Sequence, residues 1–184
     1  MLVVNFASGP GAGKTTLASG LFFMLKTPGF NVEIITEYSK ELIISGDHDK
    51  LSDELLVFTE KYRRLQMMRK VDIVISDSPL LNSCVYSNNQ FGDSGQKFFL
   101  DVALSFDSVY ILIDRHVSYV PDLREPLEEN ATRYTDAIHN LVESCGSPFI
   151  RIPGLTSRLD QIKTFVVEQA SARGIYPRYP ESPG

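Results

Sequence analysis

The sequence predicts an α/β fold: one doubly wound, five-stranded parallel sheet with helices on both faces. Three observations predict it. Five short runs are rich in β-branched and aliphatic residues, the segments between them are long enough for helical crossovers, and several of those segments carry helical periodicity. The runs are Leu2 to Phe6, Val32 to Ile35, Val71 to Ile75, Val109 to Ile113 and Phe149 to Ile152. Each is nearly continuous in apolar residues and is followed by polar or small ones, as expected of strands covered on both faces.

In chain order, the first strand runs into a glycine-rich turn and then the helical stretch Leu17 to Leu25. After the second strand, Leu55, Phe58, Tyr62 and Leu65 recur at helical spacing behind Ser52, which is placed to cap that helix. After the fourth strand, Tyr134, Ile138, Leu141 and Cys145 do the same ahead of Gly146. Both read as amphipathic helices packed on the sheet. The last helix is expected over Ser157 to Ala172, because Gly174 and the proline-rich stretch 176–184 cannot continue it. That tail is expected to be loose or to lie across the surface. Residues 1–175 then form a single domain, which 184 residues are sufficient to fill without disulfide or metal support.

Composition narrows the functional classes. Hydrophobic residues make up 43% and charged residues 22%, the balance of an ordinary globular protein. Cys84 and Cys145 stand beside apolar helical positions and outside any CxxC pattern, which argues against a disulfide framework or a zinc site and for a reducing compartment. His48, His116 and His139 show no metal-ligand spacing. The apolar start, Met1 to Phe6, lacks a basic leader and is too short to span a bilayer, so a soluble, cytoplasmic protein is expected. A formal net charge of -5 gives the molecule no general attraction for nucleic acid, leaving only a local basic cleft for that role.

The chemistry starts at the end of the first strand. Ser8-Gly9-Pro10-Gly11-Ala12-Gly13-Lys14-Thr15-Thr16 departs from the pattern GxxxxGK[ST] only at its first position, where Ser8 replaces glycine. Glycines let such a loop curl so that successive N–H groups point at phosphate oxygens, and the following helix adds its positive end. Residues Gly9 to Thr16 are therefore expected to bind a nucleoside triphosphate, ATP or GTP. Lys14 would reach the β and γ phosphates and Thr15 would ligate Mg²⁺. The strand, loop and helix context places the chain among P-loop NTPase folds.

Two carboxylates follow at strand ends. Asp77, in Ile75-Ser76-Asp77-Ser78-Pro79, would face the loop if the third strand neighbours the first, and would coordinate Mg²⁺ directly or through water. The plainer reading is a strand-ending cap. Glu37, in Thr36-Glu37-Tyr38, is placed to accept a proton from an attacking hydroxyl or to clamp the acceptor. Its plainer reading is an exposed glutamate in the first turn of the next helix. On the helix after the second strand, Arg63, Arg64 and Gln66 read as a solvated face, with a substrate-facing role as the alternative. The stretch 115–133 mixes prolines with basic residues and reads as a lid. Arg124 and Arg133 on it are candidates to close over the nucleotide and stabilise transition-state charge, against an ordinary surface role paired to Glu125, Glu128 or Glu129.

The loop, Glu37-Tyr38-Ser39-Lys40, Ser76-Asp77-Ser78 and the segment from Tyr110 through Asp122-Leu123-Arg124 to Arg133 occur in an order that resembles the small P-loop kinases typified by the ribosylnicotinamide-kinase domain and its phage-encoded relatives. The similarity covers most of residues 1–155. Lys40 stands where family members carry arginine, and Asp122-Leu123-Arg124 replaces a longer Asp-Gly-x-Arg form. The resemblance implies an ATP·Mg²⁺-dependent kinase acting on a hydroxyl of a nucleoside-like acceptor. Phage enzymes that phosphorylate 5-hydroxymethyluracil in DNA are the nearest kind, with the host cytoplasm as the place of action. A free nucleoside or nucleotide, such as ribosylnicotinamide or a deoxynucleoside, is the second acceptor. A nucleotide-dependent switch or ATPase subunit is the reading from another class.

Overall fold

A computed structural model describes residues 1–87, 90–114, 128–154 and 158–179. Its strands are β1 (Leu2–Ala7), β2 (Val32–Ile35), β3 (Ile73–Ser76), β4 (Ser108–Asp114) and β5 (Phe149–Pro153). All four pairings are parallel and the order is β2-β3-β1-β4-β5, as the predicted fold class requires. The helices described are α1 (Lys14–Lys26), α2 (Tyr38–Ser45), α3 (His48–Ser52), α4 (Glu54–Met67), α5 (Asn82–Tyr86), α6 (Gly92–Leu104), α7 (Glu128–Ser144) and α8 (Leu159–Ser171).

Every residue of β1 is buried, and the two-residue period of a strand divides them between two cores. Leu2, Val4 and Phe6 join Ile73, Ile75, Val109 and Ile111 against Leu17 and Leu21 of α1 and Ile162 and Val166 of α8. Val3 and Ala7 join Val74, Tyr110 and Leu112 against Phe58 of α4, Phe99 of α6, and Ile138 and Val142 of α7. Helices therefore cover both faces. The crossover direction reverses about β1, whose carboxyl end is consequently the crevice where open sheets of this kind place ligands.

Two helix faces differ from the sequence reading. The cap of α4 is Asp53, whose side chain accepts from Leu56 N at 3.0 Å, while Ser52 closes α3. The buried positions of α4 are Glu54, Val57, Phe58, Lys61 and Leu65; Leu55 and Tyr62 are exposed. In α7 the buried side chains include Ala131, Thr135, Ile138, His139 and Val142, with Tyr134 and Leu141 only half-buried. Both faces are turned from the apolar stripe because polar residues that brace loops or line a cavity occupy buried positions. The tail takes the second expected course as far as it is described. Arg178 N donates to Gly29 O and Tyr179 N to Pro28 O, each at 3.2 Å, and residues 180–184 lie outside the described residues. Among the described residues no helix is long and apolar enough to cross a membrane.

Candidate functional site

The glycine-rich turn leaves β1 and enters α1 through Gly11 at φ 73° and Gly13 at φ 82°. Only glycine takes that left-handed backbone without strain. Gly13 is the N-cap of α1, no acidic residue occupies the first turn, and no side chain caps it. The positive end of the helix is therefore presented to the loop, as an anion site requires. Lys14 is buried and its Nζ donates to Ser8 O at 3.2 Å and Gly9 O at 2.8 Å. The ammonium is thus held across the mouth of the turn.

Helix α7 braces the loop from the other side. Gly9 N donates to Thr135 Oγ1 at 3.1 Å, and Thr135 Oγ1 donates to Ala131 O at 2.9 Å. Ser8 is fully buried with its hydroxyl 3.4 Å from Thr135 Oγ1, so serine is tolerated at the irregular position by a polar neighbour. One turn on, His139 Nε2 lies 3.3 Å from Ala7 O and its Nδ1 3.7 Å from Asp114 Oδ1. Burial holds this imidazole below its ordinary pKa, with Arg151 adding to the effect while the Ala7 carbonyl, Asp114 and Glu143 oppose it. It serves the loop as a neutral hydrogen-bonding group.

Because β1 and β3 are neighbours, Asp77 emerges beside the loop. Thr15 Oγ1 donates to Asp77 Oδ2 at 2.6 Å. The two residues expected to share a metal are thus in contact, one a hydroxyl and the other a buried carboxylate. Hard oxygen donors of this kind suit Mg²⁺. Among the described residues no group of three or more His, Cys, Asp or Glu could hold a metal ion. A magnesium ion here would therefore take its remaining ligands from phosphate and water, as the ion usually does.

Glu37 is the N-cap of α2 rather than a first-turn residue, and it is half-buried. It lines a cavity of about 290 Å³, at the small end of ordinary ligand sites. Pro10 of the phosphate loop forms one side of that cavity; Ser39, Ile43, Leu51 and Ser52 form another. Tyr86 and Tyr134 also line it, their rings 4.9 Å apart at 51°, together with Glu54 and Gln90. The helix that carries Glu37 is clamped in place by Arg64. Its guanidinium donates to both oxygens of Glu41 at 2.7 and 2.6 Å and to Glu60 at 2.9 Å, and lies 5.1 Å from the Tyr38 ring centroid. Arg64 is therefore not part of a solvated face. Arg63 keeps an exposed pairing with Glu60, and Gln66 accepts from Arg69.

The family model described as AAA domain matches residues 3–158. The chain belongs to this AAA domain family. No curated protein matches it significantly. The matched span of the AAA domain runs from β1 to just beyond β5 and takes in the phosphate loop, both strand-end carboxylates and α7. A P-loop nucleotide-binding fold is accordingly what the five-stranded parallel sheet and this loop constitute.

Of the two arginines expected in a lid on the AAA domain, Arg133 is exposed, with its guanidinium 5.5 Å from the ring centroid of Tyr134 at the cavity wall. Arg124, with Arg115, His116, Asp122, Leu123 and Glu125, lies outside the described residues. Sequence reasoning missed Thr135 and His139 as loop braces and Glu54 as a cavity residue. Only the helix registers of α4 and α7 could have exposed them. Cys84 and Cys145 are free thiols, and burial pushes Cys84 up to about 11, far from a reactive thiolate.

Proposed function

We propose that the domain is a kinase that moves the γ-phosphate of ATP onto a hydroxyl of a nucleoside-like acceptor. One observation carries the reading: Pro10 of the phosphate loop and Glu37 line the same nucleoside-sized cavity. A donor site that opens onto a cavity able to hold an acceptor is what transfer needs. A hydrolase needs only water and a switch only a partner.

In this reading Gly9 to Thr16 cradle the triphosphate with backbone N–H groups, and Lys14 exchanges its loop carbonyls for phosphate oxygens. Thr15 and Asp77 would hold Mg²⁺, which when bound neutralises charge on the β and γ phosphates. The acceptor hydroxyl oxygen forms a bond to the γ phosphorus as the bond to the bridging oxygen of ADP breaks. Glu37 receives the hydroxyl proton. Phosphoryl transfer owes more to positioning than to proton removal, and the clamp of Arg64 on α2 supports this role by fixing Glu37. Arg124 and Arg133 are proposed to close the site. The hydroxymethyl group of 5-hydroxymethyluracil in phage DNA is the first choice of acceptor, with the base flipped into the cavity, and a free nucleoside or nucleotide the second.

The test is γ-labelled ATP offered with DNA containing 5-hydroxymethyluracil and with a panel of nucleosides. Label is expected in an acceptor and lost on Lys14→Ala, whose fold should persist. Label found only as free phosphate would refute the kinase and favour the ATPase.

A further inference from the structure

Aromatic rings fill the seam between α4 and α6. The ring centroid of Phe58 lies 4.6 Å from that of Phe99 and 5.9 Å from that of Phe98, Phe91 meets Phe99 edge-on at 5.7 Å, and Tyr62 meets Phe106 at 6.0 Å. Phe58 and Phe99 are buried beneath this seam. Above it, Leu55 and Tyr62 of α4 and Phe91, Phe98 and Leu104 of α6 are each 37–53% exposed. Gly95 shapes the face, because a Cβ there would collide with Phe91 Cβ. Phe91 therefore folds onto α6 one turn from Phe98. Side chains of this size carry roughly 200 Å² each, so the apolar surface left in water is about 400 Å², an extent at which a patch on a monomer is often functional.

The pattern along α6 says what kind of partner fits. Ser94, Lys97, Phe98, Asp101 and Leu104 are all exposed and recur at the spacing of one helix face. Lys97 Nζ lies 2.9 Å from Asp101 Oδ2, with both side chains more than half in solvent. Lysine ahead of the acid is the weaker order for a helix pair, so the two can exchange partners at little cost. Pairing of two copies about a two-fold axis requires a face that complements itself: where residue i meets residue j, j meets i. Lys97 and Asp101 stand evenly either side of residue 99, and so do Ser94 and Leu104. An antiparallel pairing of α6 with its own copy at that level sets each lysine against an aspartate. It also sets each leucine against a serine beside Gly95, where there is room for it. A partner of a single charge would instead be repelled by one member of the pair. Interfaces are about 60% apolar, so about 400 Å² of apolar surface implies about 700 Å² buried per copy, close to the about 800 Å² of a standard interface.

We infer that the α4–α6 face binds a second copy of the chain about a two-fold axis, with Phe98 at its centre and Lys97 of each copy paired to Asp101 of the other. The inference does not depend on the kinase reading.

The test is sedimentation equilibrium of the full chain across the micromolar range, without nucleotide. A monomer–dimer equilibrium with a micromolar Kd is expected, as suits an interface somewhat below standard size. Phe98→Asp should weaken it by at least about tenfold. Because Phe98 also touches Phe58, a second pair of variants changes only the exposed charges. Lys97→Glu and Asp101→Lys should each weaken self-association about tenfold, since each homodimer then opposes like charges at two symmetric contacts. An equimolar mixture of the two variants restores opposite charges at both contacts, and its Kd should return to within about threefold of wild type. Melting temperatures of both charge variants at high dilution should stay near wild type, which separates lost association from lost folding. A chain that stays monomeric overturns the inference, as does a dimer indifferent to Phe98→Asp or a mixture no tighter than either variant alone. A monomer that instead floats with phosphatidylcholine vesicles assigns the face to a lipid surface and overturns it too.

Discussion

Replacing Gly9 by alanine tests whether α7 holds the phosphate loop in shape. Gly9 is not at a positive φ, so its requirement is spatial. A Cβ there would sit 2.5 Å from Ala131 O, 2.7 Å from Thr135 Oγ1 and 3.2 Å from Thr135 N. Ordinary contact begins near 3.4 Å, so the loop and α7 must part by about 0.9 Å, the difference between 3.4 and 2.5 Å. Ala131 O is helix backbone and gives way poorly. Overpacking of this kind costs about 1–3 kcal/mol, and weakening the Gly9 N to Thr135 Oγ1 bond adds about 1 kcal/mol. The total is about 2–4 kcal/mol, and at roughly 2–4 °C per kcal/mol for a domain this size the melting temperature should fall by about 4–16 °C. A loop displaced by nearly 1 Å should also lose about 10²-fold in transfer. Thermal melting by circular dichroism with and without ATP reads the first effect and transfer of label from γ-labelled ATP the second, with a fluorescent-nucleotide titration for affinity. Gly174→Ala is the control: φ is 72° with nothing within 4 Å, so it should cost about 1–2 kcal/mol of backbone strain and leave nucleotide affinity alone. If Gly9→Ala melts and binds nucleotide as Gly174→Ala does, α7 does not brace the loop.

Thr15→Val and Asp77→Asn should each raise the Mg²⁺ needed for half-maximal nucleotide binding by about tenfold or more, and the double variant should lose less than the product, since the two side chains are in contact; a full product would separate them. His139 has a folded pKa below its ordinary 6.5, so below pH 6.5 the unfolded chain binds a proton that the native state resists. Stability should therefore fall as pH drops from 6.5 toward the depressed value, by at most about 1.4 kcal/mol per pH unit, and urea melts of His139→Gln should lack that slope. Arg64→Ala should cost about 1 kcal/mol, as expected of a half-exposed bidentate pair, and should raise the acceptor KM more than the ATP KM. Arg64→Lys should not restore it, because lysine cannot span both oxygens of Glu41; equal KM values for all three proteins would remove the clamp from the site.

The parallel strands were legible because burial on both faces forces a near-continuous apolar run, and Leu2 to Phe6 or Val109 to Ile113 have no other economical reading. Phosphate binding was legible because its chemistry is local: one loop supplies glycines, lysine and threonine within nine residues from Ser8 to Thr16. Asp77 needed one further fact, the adjacency of β1 and β3, which the parallel topology supplies. Thr135 and His139 were not legible. They reach Gly9 and Ala7 across more than 120 positions of sequence, and nothing local distinguishes them from other polar residues on a helix.

Helix α4 shows why one wall of the cavity stayed hidden. Its apolar residues Leu55, Leu56, Val57 and Phe58 surround the first turn so evenly that periodicity alone allows several faces. Reading Leu55 and Tyr62 as buried, with Ser52 as cap, turns Glu54 and Lys61 outward, where a glutamate and a lysine look like ordinary solvated charge. The Asp53 cap and the packing of Phe58 on Phe99 and Phe98 fix the other face. A helix turns by about 100° per residue, so a one-residue error in register moves Glu54 from cavity wall to solvent. Hydrophobic patterning assumes that buried positions are apolar, and it fails where a glutamate and a lysine are buried on one helix face.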